Sequence, residues 1–174
     1  MTAFTGQWDY SVDDKGRLAM PAPLRRALNP EAGDAFMATR GEDRCLVLYP
    51  QDYWQGEIVP RLARLNTADR AARRVVRTIM RWGDPVTLDS QGRVKLSQKL
   101  LEFAGIQGKA VVIGMLDRVE VWDPEAFEAY DSGEAQPLDD GYAELFERVL
   151  AATPPAAPPV PYHPAAAPAA PAQP

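Results

Sequence analysis

The sequence predicts an α+β fold in which two similar halves cover each other as a pseudo-twofold β-barrel with peripheral helices. Three observations carry this: an internal repeat, period-two alternation of apolar residues inside each copy, and an amphipathic helical stripe between the copies. A single half would leave one apolar sheet face exposed, and two halves in one chain can bury that face mutually.

The first copy of the repeat reads Val12-Asp13-Asp14-Lys15-Gly16-Arg17-Leu18-Ala19-Met20-Pro21, and the second reads Leu88-Asp89-Ser90-Gln91-Gly92-Arg93-Val94-Lys95-Leu96-Ser97. Asp, Gly and Arg coincide at an offset of 76 residues. The likeness resumes at an offset of 74, where Asp43-Arg44-Cys45-Leu46-Val47-Leu48-Tyr49-Pro50 lies against Asp117-Arg118-Val119-Glu120-Val121-Trp122-Asp123-Pro124. Alternation marks these runs as strands leaving turns, with further strands at Phe36 to Thr39 and Ala110 to Ile113.

A short helix follows the first turn of each copy. One runs from Leu24 to Leu28 after Pro21 and Pro23. The other runs from Lys99 to Ala104, with Ser97 as its cap and Gly105 as its stop. Tyr53 to Leu65 reads as helical, with Pro60 expected to kink or end it. From Asn66 to Trp82, Ala68, Ala71, Ala72, Val75, Val76, Ile79 and Met80 form a stripe at helical spacing, with arginines on the remainder and Asn66 with Asp69 at the start. Asp123-Pro124 opens another helix to about Asp131, Gly133 to Gly141 reads as a loop, and Tyr142 to Ala151 as an acidic amphipathic helix. Thr153 to Pro174 is mostly Ala and Pro and is expected to be an extended, disordered tail.

Composition narrows the function. Cys45 is the only cysteine and His163 the only histidine, the latter in the Ala/Pro segment. An internal disulfide is impossible, and a His-based triad, Cys-His dyad or His-ligated metal would rest on a tail residue, so neither an enzyme nor a metal or cofactor site is expected. Cys45 is expected to be a small core residue, and Trp54 and Trp122 core or interface anchors. No apolar stretch is long enough to span a membrane, and Met1 to Gly16 lacks the pattern of a signal peptide. The net charge of −5 conceals an uneven distribution. Residues 1–100 carry 16 Lys/Arg against 12 Asp/Glu, and residues 101–174 carry 3 against 12. The basic surplus belongs to the first part of the chain, and the acidic C-terminal part would weaken non-specific binding to nucleic acid.

In the repeated Asp-x-x-Gly-Arg turn, Asp can accept from turn N–H groups and Gly can supply a positive φ. Arg17 and Arg93 then begin a strand, where a planar guanidinium fork suits phosphate or the guanine O6/N7 edge. Lys15 adds charge at the tip of the first copy only. The plain alternative is an Asp13–Arg17 ion pair that merely fixes the hairpin. The arginines from Arg70 to Arg81 can touch phosphate, but such a face is more often solvated or paired with acidic groups at a subunit interface.

The ordered series of motifs resembles the MraZ family from about Phe4 to Leu150. The matching residues are Asp13-Asp14-Lys15-Gly16-Arg17-Leu18, Thr39-Arg40-Gly41, Cys45-Leu46-Val47-Leu48-Tyr49-Pro50, Trp54, Ala71-Ala72-Arg73-Arg74, Leu88-Asp89-Ser90-Gln91-Gly92-Arg93 and Ala104-Gly105. The resemblance implies two swapped-hairpin repeats similar to AbrB and SpoVT. It also implies sequence-specific binding of double-stranded DNA at repeated G-rich boxes in the promoter of the division and cell-wall gene cluster. A cytoplasmic, nucleoid-associated location and a ring-like homo-oligomer follow from the same source. The family's turn arginine corresponds to Arg17, with Arg93 its counterpart, so Lys15, Gly16, Arg17 and Arg93 are the expected DNA-binding residues. The expected organisation is repeat 1 at 7–54, connecting helices at 55–82, repeat 2 at 83–126, C-terminal helices at 127–152 and the tail at 153–174. Met20-Pro21-Ala22-Pro23, Gly56, Pro60 and Ser97-Gln98 depart from the family pattern. Two other readings compete: an oligomeric scaffold that does not read DNA, and an AbrB-like antitoxin. Two repeats in one chain argue against the latter.

Overall fold

The structure, a computed structural model, describes residues 3–136, 138 and 141–151. The tail expected at 153–174 lies outside the described residues. The order of elements is β1 (Phe4–Ser11), β2 (Arg17–Ala19), α1 (Ala22–Ala27), β3 (Ala35–Arg40), β4 (Cys45–Pro50), α2 (Gln51–Tyr53), α3 (Val59–Arg64), α4 (Arg70–Met80), β5 (Asp84–Thr87), β6 (Arg93–Lys95), α5 (Gln98–Ala104), β7 (Lys109–Leu116), β8 (Arg118–Trp122), α6 (Pro124–Asp131) and α7 (Tyr142–Ala151). The fold is α+β. Six strands form an antiparallel sheet in the order β1-β7-β8-β4-β3-β5, and β2 pairs with β6 as a separate antiparallel ribbon. Hydrogen bonding leaves β1 and β5 as edges of the larger sheet. The described strands therefore make a six-stranded sheet and a two-stranded ribbon, and no hydrogen bonding between them closes the pseudo-twofold β-barrel that the sequence predicts.

Alternation along the central strands sorts side chains onto two faces. Leu46 and Leu48 of β4, with Val119 and Val121 of β8, are fully buried on the face that also holds Leu18, Val94, Leu96 and Leu100. Each such aliphatic residue contributes about 1.5–3 kcal/mol on burial. Cys45, Val47, Tyr49 and Trp122 point the other way, into a second core with Trp54, Ile58, Val75, Ile79, Phe146 and Val149. Three layers result: the β2–β6 ribbon with α1 and α5, then the sheet, then a helical layer containing α3, α4 and α7.

The helix termini differ in detail from the sequence expectation. Of the Asn66 and Asp69 pair expected to cap α4, Asp69 does so, accepting from the Ala72 N–H, and the helix starts at Arg70. Asn66 instead closes a preceding turn by accepting from Ala68. Ser97 occupies the cap position of α5 without a side-chain cap bond, so only its backbone geometry starts that helix. Pro60 does not end its helix. A π-helical stretch, Trp54–Ile58, precedes it, and the Val59 N–H bonds to the Trp54 carbonyl across a widened turn. Proline has no N–H to give, and the wide turn absorbs the defect. Asp123 caps α6 as expected, accepting from Glu125 and Ala126.

Candidate nucleic-acid interface

The two Asp-x-x-Gly-Arg turns have matching bonds. Asp13 Oδ1 accepts from the N–H of Lys15 at 3.0 Å and of Arg17 at 2.9 Å. Asp89 Oδ1 accepts from Gln91 at 2.9 Å and Arg93 at 3.0 Å. Each turn closes when the Gly N–H donates to the Asp carbonyl, at 2.9 Å for Gly16 and 2.8 Å for Gly92. Both glycines are buried with positive φ, +75° and +72°.

Gly16 is held by more than its own turn. Its carbonyl accepts from the Leu96 N–H at 2.8 Å, and a Cβ added to it would stand 2.6 Å from the Leu96 carbonyl oxygen. Gly16→Ala combines a left-handed backbone with a clash against main chain that cannot swing aside. It should lower stability by about 1–3 kcal/mol, visible as a reduced melting temperature; an unchanged melt would contradict this account of the turn.

The aspartates also hold the arginines. Arg17 Nε donates to Asp13 Oδ2 at 2.7 Å, and Arg93 donates to Asp89 Oδ2 through Nε at 2.9 Å and Nη2 at 2.8 Å. The ion pair weighed as the plain alternative is thus present in both copies, but it occupies different parts of the two guanidinium groups. At Arg17 neither terminal nitrogen makes a hydrogen bond among the described residues. At Arg93 only Nη1 is left unused.

The same bonds set the carboxyl acidities. Backbone donation from Arg17, then its side chain and Lys15, lowers the Asp13 pKa below the ordinary aspartate value. The Arg93 side chain, then its backbone N–H, holds Asp89 at about 2, against an ordinary 3.8. A depressed carboxyl pKa means that the turn's contribution is complete above the ordinary value and is lost as pH falls through about 2. Titration of the Asp89 carboxyl by NMR should therefore find it still ionised at pH 3, with the Arg93 Nε–H signal kept. A midpoint near the ordinary value would count against the pairing.

Pairing of β2 with β6 brings the two turns onto one ribbon. Arg17 faces Lys95, Leu18 faces Val94 and Ala19 faces Arg93. Leu18 and Val94 are fully buried beneath, so period two places Arg17, Lys95 and Arg93 together on the outer face. Arg17 and Arg93 are diagonal neighbours, about 7–8 Å apart at the backbone. Their turns lie at opposite ends of the ribbon.

Lys15, Gly16, Arg17 and Arg93 all lie on this ribbon or its turns. Lys95 and Arg25 were missed. Lys95 is exposed across from Arg17, and its alternation with Arg93 was the available signal. Arg25 of α1 lies over the second turn, where a Cβ on Gly92 would stand 2.5 Å from Arg25 Nη1. Leu101 takes the corresponding place beside Gly16, so the second turn carries a basic neighbour where the first carries an apolar one.

The arginine face of α4 lies elsewhere. Val75 and Ile79 pack α4 into the second core, across the sheet from the ribbon. Cys45, Trp54 and Trp122 are buried in that core too. Among the described residues, no group of His, Cys, Asp and Glu is arranged to hold a metal ion, and no helix is long and apolar enough to cross a membrane.

The chain is similar to known proteins over most of its length. The family profile described as "MraZ protein, putative antitoxin-like" matches residues 3–78 and 83–149. A protein of Thermomicrobium roseum named "Transcriptional regulator MraZ" is 39% identical over 126 residues, covering 72% of this chain and 85% of that protein. Its namesake in Limosilactobacillus fermentum is 38% identical over 136 residues, covering 78% and 92%. That of Syntrophomonas wolfei is 36% identical over 147 residues, covering 84% and 96%.

Proposed function

The chain belongs to the MraZ family, and from that premise we propose that it regulates transcription by inserting the β2–β6 ribbon into the major groove of double-stranded DNA. Relatives are named as transcriptional regulators and not as enzymes. The observation that carries the proposal is the outer face of the ribbon, with Arg17, Lys95 and Arg93 together and each arginine steered by its own turn aspartate. A two-stranded ribbon fits the major groove, where an arginine can donate two bonds to guanine O6 and N7.

Magnitudes favour readout over a purely structural role for Arg17. An ion pair about one-third exposed on each side contributes about 0–1 kcal/mol in water. A bidentate guanine contact discriminates by about 1–3 kcal/mol. Asp13 then acts as a positioning residue. It takes Nε and leaves the two terminal nitrogens for the base edge, while Gly16 permits the turn and lets the backbones approach. Lys15 and Lys95 flank Arg17 as phosphate contacts. Arg93 and Arg25 serve the second turn, with less of the Arg93 fork available.

The same reading takes 7–54 and 83–126 as pseudo-twofold swapped-hairpin repeats, joined through 55–82 and followed by C-terminal helices at 127–152. Matching turn bonds and the pairing of strands from different halves support it. The DNA proposed is the set of repeated boxes in the promoter of the division and cell-wall gene cluster, in a cytoplasmic, nucleoid-associated setting. A ring-like homo-oligomer would present several ribbons to tandem boxes and raise their effective concentration.

Titrating salt against binding to the DNA upstream of its own gene, with a scrambled duplex beside it, tests this function. Specific binding should exceed scrambled binding at every salt concentration and weaken linearly in log–log form as counterions are released. Equal binding to both duplexes would favour an oligomeric scaffold over a regulator.

A further inference from the structure

The strongest charged feature outside the ribbon lies on the opposite layer. Arg70, Arg73, Arg74 and Arg77 recur at i, i+3, i+4 and i+7 on α4, and Arg148 of α7 joins them around an open groove of about 810 Å³. Asp69 is the only carboxylate lining it, and that side chain caps α4 through Ala72. Arg73 donates to the carbonyls of Thr67 and Ala68. The side chains of Arg70, Arg74, Arg77 and Arg148 are exposed and make no hydrogen bond or ion pair among the described residues. Crowding five guanidinium groups around a single carboxylate leaves a net positive groove, and an anionic surface would relieve the repulsion. DNA held by the ribbon lies on the other side of the sheet.

The matching surface is α6. Glu125, Glu128 and Asp131 are spaced three residues apart and are exposed, with no basic partner among the described residues. Tyr130 borders this face on the side of α6 that packs on Trp122, 48% exposed, with its ring 4.9 Å from that of Trp122. It offers an aromatic face on which a guanidinium can stack. Within one protomer α4 packs against α7 and α6 packs on Trp122 through Phe127, and no ion pair joins α4 to α6.

We propose that the α4–α7 arginine groove docks the acidic α6 face of a second copy of this chain. The contact is head-to-tail: each copy presents one groove and one acidic helix, so successive copies add in one direction until the rotation closes. It rests on the assembly reading given above and supplies an interface for it. Because its charges are exposed, the contact should weaken as salt shortens the screening length from about 8 Å at 0.15 M to about 3 Å at 1 M.

Charge reversal with complementary mixing tests the proposal. R74E/R77E spares Arg73 and its carbonyl bonds, and E128R/D131R spares the capping end of α6. Each variant alone should give smaller species than wild type by light scattering, with an unchanged circular dichroism spectrum. An equimolar mixture should recover the wild-type mass, since every groove then meets an α6 of opposite sign. Wild-type assembly by either variant alone, or a mixture that stays small, overturns the interface while leaving the ribbon's reading of DNA untouched. Intact assembly with weakened DNA binding in R74E/R77E overturns it too, and makes the groove a phosphate contact. A wild-type protein that is monomeric at micromolar concentration removes both the interface and the assembly reading.

Discussion

Replacing Arg17 by alanine is expected to abolish sequence-specific DNA binding while leaving the fold intact. Loss of one bidentate guanine contact costs about 1–3 kcal/mol, about 5- to 150-fold per site. When several ribbons engage tandem boxes, the factors multiply and binding falls below detection at working concentrations. The turn should survive because Asp13 still accepts from the backbone N–H groups of residues 15 and 17, and the Gly16 N–H still closes on the Asp13 carbonyl. Arg93→Ala should weaken binding less, since two of its nitrogens already serve Asp89 and it has no counterpart of Lys15. A gel shift on upstream DNA, with a melting curve for each variant, separates the roles. Wild-type affinity in Arg17→Ala would move the contact elsewhere, and a lost melting transition would make Arg17 a structural residue after all.

The second large effect is on stability and belongs to Arg40. This residue ends β3 and is only 6% exposed. Its guanidinium carbon lies 4.3 Å from the ring centres of both Phe103 and Tyr142, and 5.7 Å from that of Trp82. Arg40 thereby ties α5 on the ribbon's side of the sheet to α7 on the other. Desolvated cation–π contacts contribute about 2 kcal/mol or more, so Arg40→Ala should lower the melting temperature by about 4–8 °C for a chain of this size. Arg40→Lys should recover only part, because an ammonium keeps the charge and loses the stacking plane. Calorimetry giving both variants the wild-type melting temperature would deny the clamp any role.

Much of the fold was legible because it rests on local patterns repeated in one chain. The Asp13-to-Arg17 and Asp89-to-Arg93 spacing fixes two like turns, and the alternation through Leu46, Leu48, Val119 and Val121 fixes which face is buried. Pairing at long range left little local trace. β2 and β6 are three residues each, too short to specify a partner, so the position of Lys95 opposite Arg17 emerges only with the fold. Arg25 over Gly92 likewise depends on how α1 crosses the ribbon. Arg40 was hidden because burial of an arginine depends on partners brought from distant elements, here the rings of Phe103 and Tyr142. Pro60 was expected to kink or end its helix, and it lies at the first turn of α3 just after a π-helical stretch that the sequence pattern did not reveal.

The most direct measurement of the central claim is a footprint on the DNA upstream of this protein's own gene, combined with interference by guanine N7 methylation. Arg17 anchored on a ribbon in the major groove predicts protection over short repeated boxes. It also predicts loss of binding when guanines inside those boxes carry a methyl group at N7. Uniform protection without boxes, or binding indifferent to N7 methylation, would contradict it.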